Sequence, residues 1–176
     1  CHTNELPTEF ITNPKPGSCY VKWSLKKEKK EWDENKPYWI YHKNNAYVIK
    51  YSNNYPTGKW MLFYPKSSID DAWKQAKNKY ENNKLIGITS MKRSTNRKNP
   101  RANNNKEGII IFYCSGKKED ILKYGYCILK ELNYCLKDTI FYKTDEQTYK
   151  GTRATGQKKN YSYKIRNPMI LLQDDY

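Results

Sequence analysis

Residues 55–73 read YPTGKWMLFYPKSSIDDAW, the sharpest change of period in the chain. Pro56, Thr57 and Gly58 supply turn chemistry, and KWMLFY (59–64) is an aromatic and apolar run suited to a strand. Ser67 or Ser68 can then cap a helix whose first turn carries Asp70 and Asp71, charges that the positive end of a helix dipole favours. Ile69, Ala72, Trp73, Ala76 and Tyr80 recur three and four apart, which gives that helix one apolar face.

Working outward, the same two periods alternate. LIGIT (85–89) reads as a short strand and GIIIFYC (108–114), apolar throughout, as a central one. GKKEDILKYGYCILKELNYC (116–135) has the helical spacing again, with Gly125 inside it; a glycine there costs about 1 kcal/mol of helix propensity and suggests close packing against a sheet. DTIFYKTD (138–145) and YSYKI (161–165) return as strands around a basic loop, TYKGTRATGQKKN (148–160). Upstream, PYWIYHKNNAYVIKYS (37–52) suggests two strands turning at Asn44-Asn45, and YVKWSL (20–25) alternates as a half-buried strand. Residues 1–19 read as an extended arm, 20–166 as one domain and 167–176 as a tail whose MILL quartet docks. Helices that follow pairs of strands lie on one face of a largely antiparallel sheet, so the fold class is α+β.

The chain has 176 residues and a formal charge of +15, with 17 Tyr and 5 Trp. Aromatic bulk compensates for a low apolar fraction in the core. Such a charge favours polyanionic partners, although Lys, Asn, Tyr and Ile are all abundant, as in chains drawn from AT-rich genomes. Distribution decides better than total. Residues 90–106, SMKRSTNRKNPRANNNK, hold six basic side chains (Lys92, Arg93, Arg97, Lys98, Arg101, Lys106) and no acid, including three of the five arginines. Arginine suits bidentate phosphate contact. The competing reading is a solvated loop that only joins two strands.

At GKW (58–60), DAW (71–73), Ser90, Arg93, Tyr142-Lys143, Asp145 and Thr148-Tyr149 with Gly151, the chain resembles the basophilic-leukaemia-expressed protein family over about residues 56 to 152. That family shares the fold of the cap-binding translation initiation factor 4E. The resemblance implies a curved, mainly antiparallel sheet with helices on its convex face and loops around a concave front. In the cap-binding relatives the front holds a methylated guanine between two tryptophans, a glutamate reads the base edge, and Arg and Lys hold the phosphates. By position, the resemblance assigns phosphate contact to Lys92, Arg93, Arg97, Lys98 and Arg101, and to Lys158 and Lys159 beside Arg153 in a second basic loop. Trp39 or Trp32 could stack a base. The relatives carry a Trp-Glu pair about ten residues before the tryptophan matching Trp60, and this chain has VIKYSNN (48–54) there.

Enzyme chemistry has little to build on. The two histidines are His2 and His42, no P-loop or zinc-protease motif occurs, and Asp145-Glu146 on a strand would point to opposite faces. The five cysteines are odd in number with no CxxC pair, and read as buried thiols in an intracellular, cytoplasmic or nuclear protein without metal or cofactor. No apolar run reaches membrane-spanning length. The expectation is a non-catalytic nucleic-acid or nucleotide binding module with RNA as the first partner. The alternatives are a protein–protein adaptor using the helical face and a metal-independent nuclease using His42.

Overall fold

The computed structural model describes residues 37–96, 106–150 and 161–170. In chain order the elements are β1 (Trp39–Lys43), α1 (Asn45–Tyr51), β2 (Thr57–Pro65), α2 (Ile69–Glu81), β3 (Ser90–Ser94), β4 (Glu107–Ser115), α3 (Lys118–Glu131), β5 (Thr139–Thr144), α4 (Asp145–Tyr149) and β6 (Tyr163–Arg166). The strands form one six-stranded sheet in the order β1-β3-β4-β2-β5-β6, every pairing antiparallel. The arm 1–19, the strand expected at 20–25 and Trp32 lie outside the described residues.

Strand side chains alternate between faces. Gly58, Trp60, Leu62 and Tyr64 of β2 stand opposite Cys114, Phe112, Ile110 and Gly108 of β4, and this face takes α2 and α3. Trp60 is fully buried, its indole Nε1 donates to the Ile121 carbonyl at 3.0 Å, and Tyr142 stands beside it in β5. Gly125 is where α3 crosses the sheet: a Cβ at 125 would come within 2.7 Å of the Trp60 ring. Trp73 and Tyr80 pack from α2, as the spacing of that helix requires. The C-terminal segment also joins the core, with Met169 buried and Ile170 packed against it.

Five local expectations are corrected. Asn44-Asn45 is not a hairpin turn. The Asn44 Oδ1 accepts from the Ala46 N–H at 2.9 Å and caps α1, so its N-capping chemistry prevails over its tolerance of a left-handed turn. Tyr47, one turn ahead of Tyr51, then packs its ring on Tyr80 and donates to the Glu81 carbonyl. LIGIT is a turn rather than a strand, because Gly87 takes φ +81° and the following strand begins only at Ser90. Asp145-Glu146 open α4 instead of ending a strand: Thr144 and Gln147 form a reciprocal capping box. Cys135 is disulfide-bonded, against the expectation of thiols throughout, while Cys114 keeps a buried thiol. The expected cap at Ser68 is only positional, since its hydroxyl donates to the Pro65 carbonyl and accepts from no N–H of the helix's first turn.

Candidate nucleotide-binding face

The face of the sheet that no described helix covers, the helix-free face, is set by the opposite parity in every strand. Across five of the six strands, register aligns Lys43, Ser90, Tyr113, Lys59 and Lys143 in one row. A second row runs Tyr41, Lys92, Ile111, Met61, Phe141 and Lys164. Trp39 and Arg166 lie in a third, with Phe63 and Ile109 between them. Lysines and aromatic rings that are distant in sequence therefore share one surface.

The rings and cations are interleaved at the β1-β3-β4 side. The Lys92 ammonium sits 4.1 Å from the Trp39 ring centre and 5.6 Å from both Tyr41 and Tyr113. Lys59, 7% exposed, lies 5.8 Å from Tyr113 and 3.6 Å from the half-exposed Asp145 carboxylate. Burial lowers the Lys59 pKa, and Asp145 offsets part of that. Burial also lowers the Lys92 pKa, with Lys59 pushing the same way and Asp145 opposing. The Tyr113 hydroxyl is raised by burial first and then by Asp145 and Tyr41. Tyr113 with Tyr41, Lys43, Thr57 and Ser90 also lines an open depression of about 280 Å³ at the end of the sheet. Charge on this face is unbalanced among the described residues. Its carboxylates are Glu107, 2.8 Å from Lys137, and Asp145, next to Lys59.

The sequence-expected residues divide. Lys92 and Trp39 face this surface. Arg93 is not in a loop but in β3, with the parity of buried Met91, and so points to the helices. Its Nη1 donates to Asp70 at 2.6 Å and its Nε to the Ser94 carbonyl at 2.9 Å. Arg97, Lys98, Arg101, Arg153, Lys158, Lys159 and Trp32 lie outside the described residues. His42 also faces the helix side, with Nε2 2.7 Å from Glu81 and its ring against Trp73 and Tyr80. Sequence reading missed Lys43, Lys59, Lys143, Tyr41 and Tyr113. The signal was there as parity: a strand that buries Trp60, Leu62 and Tyr64 must turn Lys59 the other way, yet which face is open depends on where the helices return. No group of described residues has the makings of a metal site.

A curved antiparallel sheet backed by helices is the fold of translation initiation factor eIF4E. Two solved structures of schistosome eIF4E, complexed with 4E-BP and with m7GpppA or m7GpppG, each superpose with a TM-score of 0.52 at 17% identity. Each match covers 74% of this chain, and 73% and 72% of the respective eIF4E chains. The family model of basophilic leukemia-expressed protein Bles03 matches residues 49–151, more than half of the chain. The chain belongs to that family. No curated protein sequence matches it significantly. No described helix is long and apolar enough to cross a membrane.

Proposed function

We propose that the protein is a non-catalytic binding module for nucleic acid, RNA in the first place, which takes phosphates on the helix-free face of its sheet. One observation carries the reading: Lys43, Lys59, Lys92 and Lys143 share that face with Trp39, Tyr41 and Tyr113, and among the described residues Asp145 is the one carboxylate that stands between them. Cations hold phosphates and rings stack bases, which are the two contacts that single-stranded RNA offers. Arg97, Lys98, Arg101, Arg153, Lys158 and Lys159 extend the same charge in sequence. The eIF4E complexes with m7GpppA and m7GpppG support a nucleotide ligand for this fold, and their 4E-BP supports a protein partner on the helical face as the second reading. A nuclease is disfavoured, because His42 is engaged by Glu81 on the other face.

The test is a salt titration of binding to a short labelled RNA by the natural protein, by a Lys59→Met, Lys92→Gln double variant and by an Arg97, Lys98, Arg101→Ala triple variant. Four phosphate contacts on the sheet give a log K against log salt slope of about −3 for single strands, and the double variant flattens it by about 1.4. A natural protein that shows no binding at low salt, or a double variant with the natural slope, would refute the reading.

A further inference from the structure

At the β1-β3-β4 side of the helix-free face, the rings of Trp39, Tyr41 and Tyr113 already have cations beside them. Lys92 stands over Trp39 at 4.1 Å and shares Tyr41 and Tyr113 at 5.6 Å, while Lys59 approaches Tyr113 at 5.8 Å. The negative faces of these rings, which would attract a positively charged ring system, are therefore satisfied from within the protein. A carboxylate is what a site needs to balance a cationic base. Asp145 is committed to Lys59, Glu107 lies beside Lys137, and α1, which occupies residues 45–51, carries no acid. With Lys43, Lys59 and Lys92 against Asp145, the cluster stays net positive.

We propose that this cluster selects against bases that carry positive charge, and that its ligand is an ordinary, unmethylated nucleotide or RNA end. This rests on the phosphate-binding reading of the same face and adds the identity of the base. Methylation of guanine at N7 makes the purine ring cationic, as in the caps bound by the schistosome eIF4E. A neutral base can displace the Lys92 ammonium from Trp39 toward its own phosphates, keeping one stacked ring and gaining one ion pair. A cationic base that does the same is left beside Lys92 and Lys59 in a half-buried setting. A unit charge about 6 Å from such an ammonium costs from about threefold in affinity at the dielectric of water to about a hundredfold at the effective dielectric of a protein surface, with about tenfold near the middle. Lys92 thus acts as the discriminating residue through its charge.

Binding of GTP, 7-methyl-GTP and inorganic triphosphate to the full chain at one ionic strength tests this, with the Lys92→Gln and Lys92→Arg variants and a thermal melt for each. The expected result is GTP about tenfold tighter than 7-methyl-GTP, and triphosphate weaker than GTP. The ratio falls toward one in Lys92→Gln and persists in Lys92→Arg. Equal or tighter binding of 7-methyl-GTP by the natural protein, or a ratio unchanged in a folded Lys92→Gln, overturns the selection and leaves phosphate binding standing. Failure of all three ligands to bind at low salt overturns both.

Discussion

Arg93 was one of the arginines that sequence assigned to phosphate contact, and the structure makes it a bracket between sheet and helix. Replacing it with alanine removes a guanidinium whose side chain is 8% exposed and which holds Asp70 at 2.6 Å, the Asp70 side chain being 40% exposed. Breaking a fully buried pair costs 3–5 kcal/mol, and an exposed pair is worth 0–1 kcal/mol, so this half-open one is worth about 2 kcal/mol. Lost packing of the arginine stem adds to that. For a domain of this size about 2–3 kcal/mol corresponds to a fall in Tm of roughly 4–12 °C. Thermal melting and the RNA salt titration, run side by side on Arg93→Ala, separate the two roles. A clear loss of Tm with an unchanged salt slope is expected. An unchanged Tm with a shallower slope and weaker binding would refute the assignment and return Arg93 to the phosphate set.

Gly125→Ala should destabilise by about 1–2 kcal/mol, since overlap with the Trp60 ring outweighs the helix propensity gained; a urea midpoint that rises instead would show that α3 can shift away. Thr144→Ala removes the acceptor for the Gln147 N–H and should cost about 1 kcal/mol in chemical denaturation. RNA affinity should decline as pH climbs through a window that opens below the usual lysine value of 10.5, because the folded protein releases the Lys59 and Lys92 protons early. In that window the unfolded chain binds more protons, so these lysines make stability rise with pH. The buried Tyr64 and Tyr142, raised above 10.0, make it fall from pH 10 upward. Urea midpoints between pH 8 and 11 check both signs, and Lys59→Met should lose part of the rise.

Much of the architecture was legible locally. The helix from Ile69 and the one through Gly125 were readable because apolar residues three and four apart share a face in any helix. The strands around Trp60 and Ile110 were readable because each is a short apolar or aromatic run between turn signals. Misreadings fell where two local chemistries compete within a few residues. Asn44 suits both a turn and a helix cap, and the contact of its backbone N–H with the Tyr80 hydroxyl at 2.8 Å belongs to tertiary structure. LIGIT has the composition of a strand, but Gly87 lies against the Tyr124 ring, and only a residue without Cβ fits there.

By itself the sequence determined the α+β class, the family and a surplus of positive charge, since these depend on composition, period and short motifs. Only the tertiary structure decided which cations act together. Shifting the start of β3 from Leu85 to Ser90 puts Lys92 in register with Tyr41 and Ile111, and sends Arg93 to Asp70 behind the sheet. Strand parity has a period of two, so adjacent residues with the same chemistry end on opposite faces. Antiparallel register then gathers Trp39, Lys59, Lys92 and Tyr113, separated by as many as 74 positions, onto one surface.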